Sequence, residues 1–185
     1  MPLVIGEKLL STTGNPLGLL GDCHRRIERF LDWLIAIAEQ AQGEKLDDLQ
    51  APLFAVALRY FREAAPNHTR DEEESLFPRL RLKINDENRA TMALLDGLHA
   101  DHEEAEIKHR RVDELGRAWL TNEHLSAEDT LSLIALLKEL RTTYEKHIAI
   151  EDNELFPLAN KLLDRKELEG LAAEMADRRG FGRVE

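Results

Sequence analysis

Two stretches of the chain share an unusual grouping: HTRDEEESLFPRL from His68 to Leu80, and HIAIEDNELFPLA from His147 to Ala159. Each sets a histidine one helical turn ahead of a glutamate and closes on Leu-Phe-Pro, at 76–78 and again at 155–157. Imidazole nitrogens and carboxylate oxygens are ligands of divalent metal ions. Residues four apart share one helical face, with about 5–6 Å between Cβ atoms. His68 with Glu72, and His147 with Glu151, can therefore serve one centre together.

The pairs prolong apolar stripes. Phe54, Leu58, Phe61, Ala65, His68 and Glu72 step by 4, 3, 4, 3 and 4, and Leu133, Leu137, Leu140, Tyr144, His147 and Glu151 step identically. That is the spacing of a buried helical face. A second repeated stripe carries single histidines: Leu20, His24, Ile27, Leu31 and Leu34 recur at a constant offset as Leu98, His102, Ala105, His109 and Val112. Each half of the chain is thus a helix with an inward His followed by a helix with an inward His-x-x-x-Glu. Stacked face to face, two such hairpins bring together His24, His68, Glu72, His102, His147 and Glu151.

Unpaired charge inside a helical core costs several kcal/mol, whereas a metal ion turns the same groups into ligands. Six mixed imidazole and carboxylate ligands exceed the needs of a tetrahedral zinc site. They suit two adjacent ions, with Glu72 and Glu151 bridging and positions kept for oxide, water or a small ligand. The choice is two non-haem iron ions with an oxo or hydroxo bridge; manganese and zinc stay as alternatives.

The elements that must position these residues are helices. The chain has 185 residues, is 43% hydrophobic and 33% charged, and contains only six prolines and ten glycines. This length suits a single domain, 1–185, comprising a bundle over 16–163 and a C-terminal helix and tail over 164–185. Asn15-Pro16 reads as a helix start, and the helix runs to about Gln42 before Gly43. A second helix begins near Asp47 or Asp48; Pro66 predicts a kink just upstream of His68, and Pro78 the end of that helix. After the polar turn at 83–88 a third helix reaches about Leu120. Ser126 with Asp129 predicts the start of a fourth, ending at Pro157. Asp164 with Glu167 starts a short last helix that stops at Gly180. The expected fold is all-α, an antiparallel up-down four-helix bundle with a short extra C-terminal helix.

A formal net charge of -11 argues against nucleic acid as a partner and against an anionic membrane surface. The single Cys23 cannot form an internal disulfide, and MPLVIGEKLL lacks the pattern of a secretory leader. The expected location is the cytoplasm.

The segments LLGDCHRRIERFL, APNHTRDEEESLFPRL, LHADHEEAE and YEKHIAIEDNELFPLA resemble the hemerythrin-like HHE cation-binding family, over about residues 16–163. The resemblance implies a four-helix bundle around a non-haem di-iron centre, with the six residues named above at ligand positions. The chain departs from the oxygen-carrying members, which have five histidines, two of them four apart on the third helix, and an Asp on the fourth. Here Glu106 follows His102 by four, and the fourth-helix acid is Glu151.

Other residues stand near the stripes. Glu73 adjoins Glu72 as an alternative ligand or a solvated acid, and His99 is the substitute for His102. Glu28 and Glu106, each one turn after an inward His, would either hydrogen-bond to ligands or pair with surface cations. Tyr144, one turn before His147, would meet a bound oxygen or simply pack. His109 lies roughly 10 Å beyond His102, too far to share the centre. His124 is expected in solvent.

The function expected is binding or sensing of O2 or NO, or a response to iron and redox state, behind apolar walls from Ile27, Phe61, Leu140 and Ala105. Whether it is an enzyme is left open, with a metal- and small-ligand-binding protein expected ahead of a catalyst. Alternatives are a di-iron redox enzyme, scavenging peroxide or repairing iron centres, and a metal-stabilised interaction module. Association into a homodimer is left open.

Overall fold

The computed structural model describes residues 15–181, and the segment MPLVIGEKLL, read above for a leader, lies outside them. All the elements are helical: α1 (Pro16–Ala41), α2 (Gln50–Glu63), α3 (Ala65–Arg70), α4 (Phe77–Arg81), α5 (Ala90–Asn122), α6 (Ala127–Ile150), α7 (Phe156–Leu162) and α8 (Arg165–Arg178). Two π-helical turns, Asp71–Leu76 and Glu151–Leu155, join α3 to α4 and α6 to α7. Among the described residues there is no strand, and no helix is long and apolar enough to cross a membrane.

Local chemistry explains most boundaries. The Asn15 side chain accepts from the Gly18 amide, Ser126 from that of Asp129, and Asp164 and Glu167 form a reciprocal capping box. The chain leaves α1 through Gln42 and Gly43, both at positive φ; at Gly43 an added Cβ would lie 2.6 Å from the Leu125 carbonyl oxygen. Helix α2 starts at Gln50, slightly later than expected, because the Asp47 carboxylate caps the Leu49 and Gln50 amides from outside. The expected break before His68 falls at Ala64, with Pro66 in the first turn of α3.

Neither Pro78 nor Pro157 ends its helix. Each sits in the first turn of the α-segment that follows a π turn, where a missing N–H forfeits little. The helical path continues to Arg81 and Leu162.

Packing is cyclic: α1 lies against α2 and α6, and α5 lies against the same two. The six stripe residues from Phe54 to Glu72 and the six from Leu133 to Glu151 are all buried. The apolar interior forms two clusters. One holds Ile27 to Ala38, Phe54 to Ala65, Ala105 to Trp119 and Leu133 to Ile148; the other holds Leu17, Leu20, Leu76 to Leu80, Leu95, Leu98, Leu155 to Leu163, and Leu171 and Met175 of α8. On α1 and α5 the histidine falls between the two clusters, as do His68 and Glu72 along their path, while His147 and Glu151 flank Ile148, the last residue of the first cluster, ahead of Leu155 in the second. The polar residues therefore form a layer separating two apolar cores.

Candidate metal centre

Each His-x-x-x-Glu pair stands where an α-helix widens. The amides of Phe77 and Phe156 bond five residues back, to the carbonyls of Glu72 and Glu151. Single π turns of this kind recur at functional sites. Here each places a glutamate inward together with the apolar Leu-Phe that follows it, since Leu76, Phe77, Leu155 and Phe156 are all buried.

The layer contains His24, His68, Glu72, His102, His147 and Glu151, none more than 8% exposed. Their ligand atoms converge. His24 Nε2 lies 3.1 Å from Glu151 Oε2 and 3.8 Å from Glu72 Oε1, and His68 Nε2 lies 3.2 Å from Glu72 Oε1. His102 Nε2 is 3.4 Å from Glu72 Oε2, His147 Nε2 is 3.3 Å from Glu151 Oε2, and the two imidazole nitrogens are 3.1 Å apart. Two sets of four result: His24, His68, Glu72 and Glu151, and Glu72, His102, His147 and Glu151, each with ligand atoms within 4.8 Å of one another. Both carboxylates belong to both sets, and Glu72 turns a different oxygen to each.

The chemistry of this donor set fits metal ions. Both oxygens of Glu72 and of Glu151, with His24 Nε2, are buried and make no hydrogen bond of normal geometry. Such orphaned acceptors are costly unless something else satisfies them. Protons partly compensate in the metal-free protein. Burial opposes charge on His24, yet the Asp152, Glu151 and Glu72 carboxylates outweigh it and raise its pKa to about 11. Against the same burial, Glu72 and Glu73 carry His102 to about 10, and Glu151 raises His147. In His68 burial wins, and its pKa falls to about 4. Burial works against ionisation of Glu72 and Glu151, but surrounding imidazoles hold both below the ordinary range.

Behind the converging Nε2 atoms stands a ring of carboxylates. Asp152 Oδ1 lies 2.8 Å from His24 Nδ1, Glu73 Oε1 lies 2.9 Å from His102 Nδ1, and Asp101 Oδ2 lies 3.3 Å from His147 Nδ1. A carboxylate on the remote nitrogen fixes the ring and leaves Nε2 free to coordinate. The arrangement crosses between repeats, because the acid following Glu72 holds the second repeat's single histidine and the acid following Glu151 holds the first's. Asp152 and Asp101 are contacts of the candidate ligands that the sequence reading missed. Asp152 carried a signal, since it follows Glu151 as Glu73 follows Glu72.

The remaining candidates separate by place. Glu73 is neither inward nor freely solvated: it bridges His102 and the half-exposed His99 at 2.7 Å, which puts His99 on the outside of the layer. Glu28 pairs with Arg25 on the surface. His124 is exposed, and Cys23 is a buried free thiol that burial pushes up in pKa. A cavity of about 370 Å³ runs between α2–α3 and α5 to His102; Phe61, Ala65, Ala105, Glu106, His109 and Tyr144 are among its walls. On its wall the Tyr144 hydroxyl is 3.2 Å from His109 Nε2. Of the four expected apolar walls, Phe61 and Ala105 line this cavity, while Ile27 and Leu140 belong to the adjoining core.

Among curated proteins the chain is similar to an uncharacterized protein of Haemophilus influenzae, 28% identical over 179 residues that cover 95% of this chain and 96% of that one. A family signature spans residues 15 to 159, which take in α1 to α6, both π turns, the start of α7 and all six convergent residues. The chain belongs to the hemerythrin HHE cation-binding domain family.

Proposed function

We propose that the chain is a cytoplasmic, non-haem di-iron protein built as an antiparallel up-down four-helix bundle, which binds or senses O2 or NO or answers to iron and redox state. One observation carries this reading: two four-residue ligand sets overlap in Glu72 and Glu151. Two neighbouring ions with shared carboxylates are what such overlap suits. The order of the two apolar clusters along the chain supports the topology, since α1 and α5 traverse them in one direction and the paths α2–α4 and α6–α7 in the other.

In this assignment His24 and His68 would hold one ion and His102 and His147 the other, with Glu72 and Glu151 available to both. Bound iron would supply one-electron redox chemistry and open positions for a diatomic ligand. The protein's own contribution is exclusion and orientation. Asp152, Glu73 and Asp101 keep three imidazoles in register, the apolar cores bar water on both sides, and the Tyr144 hydroxyl is available to hydrogen-bond a guest.

Anaerobic loading with Fe(II), admission of O2 and then its removal tests the proposal, followed through charge-transfer absorption and metal analysis. The expected result is two ions per chain and a spectrum that changes with O2. Glu72→Gln and Glu151→Gln should each lower the metal content; two ions retained in both variants would rule out the bridging assignment. The cavity, larger than a diatomic ligand needs, favours a second reading: a redox enzyme acting on peroxide or on another protein's iron centre. One-way oxidation with peroxide turnover would select it. Stoichiometric metal with no response to O2, NO or peroxide would leave the metal a structural role.

A further inference from the structure

The two repeats treat their histidines differently in one respect. His24, His102 and His147 each present Nδ1 to a carboxylate, whereas His68 Nδ1 is buried with no hydrogen-bond partner. The acid that would complete the symmetry can be named. Asp101, which reaches His147, immediately precedes His102, and Cys23 immediately precedes the matching His24. Cys23 therefore holds the place from which a carboxylate would reach His68. Its thiol is buried and meets Arg26 Nη2 at 3.9 Å. A thiol sulfur is too weak an acceptor to replace a carboxylate behind an imidazole.

We infer that the two metal positions are unequal: the position of His102 and His147, with both imidazoles held by carboxylates, binds first and tightly, and the position of His24 and His68 is the weaker, exchanging one. The difference is set by Cys23 standing where the second repeat has Asp101. This rests on the two-ion reading given above. A carboxylate behind an imidazole locks its orientation and makes Nε2 a better donor, and loss of such a partner typically lowers metal affinity about 10- to 100-fold. Because Glu72 and Glu151 are shared, the inequality must come from the imidazoles and their supports. Cys23 and Asp101 are positioning residues, acting on the ions only through His68 and His147.

Anaerobic titration of the full chain with Co(II) tests this, with bound metal counted and the first equivalent located by anomalous scattering from crystals at half saturation. The expected outcome is an ion at His102 and His147, with the second position filling at free Co(II) at least tenfold higher. Asp101→Ala should weaken the first step and draw the two together, and Cys23→Asp should do so by strengthening the second. Circular dichroism checks that each variant is folded. A first ion at His24 and His68, equal half-occupancy of both positions, or an unchanged interval in the folded Asp101→Ala variant would overturn the inference while leaving the two-ion reading intact. Absence of Co(II) uptake by the unmodified chain would overturn both.

Discussion

The two π turns carry equivalent glutamates, yet the protein supports them by different means. In the first turn, Asp71 is fully buried and receives Arg178 and Arg179 from the end of α8; Arg178 also reaches Ser75, and Arg79 binds Glu174 of the same helix. In the second, the position equivalent to Asp71 is Ile150, and the ionic support is Asp152 with His24 and the exposed Arg25. Both turns are tied to a candidate ligand by the acid that follows the glutamate, Glu73 to His102 and Asp152 to His24, and the first alone adds a clamp from outside the repeat. The same local sequence can build the same turn under either regime, because the turn is set by the helical path and the support by whatever lies beyond it.

Asp71→Ala should have the largest effect on this difference. It leaves Arg179 without its acid and Arg178 with only the exposed Glu74, for a loss of about 3 kcal/mol in denaturation of the metal-free protein. Amide exchange should accelerate across 71–77 and stay slow across 151–156; equal acceleration in both would show that α8 does not clamp one turn selectively.

The repeats also differ around the cavity, where His109 and Tyr144 occupy the positions of Leu31 and Ala65. Burial lowers the His109 pKa to about 4 from an ordinary value near 6.5, so the fold holds this imidazole neutral where the unfolded chain would protonate it. Its contribution is complete above pH 6.5 and drains away as the pH falls toward 4. His109→Leu should make stability fall less over that interval, by on the order of 2 kcal/mol. Parallel curves for the two proteins would refute the assignment. Tyr144→Phe removes one hydrogen bond, for about 1 kcal/mol, and should change the decay of a bound diatomic ligand more than the metal content. Arg25→Ala, at a site 58% exposed on the second turn's side, should cost under about 0.5 kcal/mol. A loss matching that of Asp71→Ala would erase the contrast between the turns.

What could be read from the sequence was what is local or repeated. Asn15, Ser126 and Asp164 announce their helices because a cap acts within a single turn. The converging layer was legible because the 3-and-4 spacing runs unbroken through His68, Glu72, His147 and Glu151, and the second copy removed coincidence. Pro78 and Pro157 misled because a π turn has no distinctive residue type, and without it a proline in that place reads as a stop. Asp101 and Asp152 act across 46 and 128 residues, at distances where helical periodicity is silent. Glu73 had two local readings, and only the approach of α5 decides between them.

The separation of the apolar interior into two clusters has a mechanical meaning. Each core can be well packed by itself, and they meet across a waist made of imidazoles and carboxylates, the groups least able to cohere without help. All the long helices pass through that waist, so whatever occupies it fastens them at mid-height. The protein should melt as one unit when the waist is filled and as two loosely linked ends when it is stripped, which makes metal content a setting for the rigidity of the whole molecule.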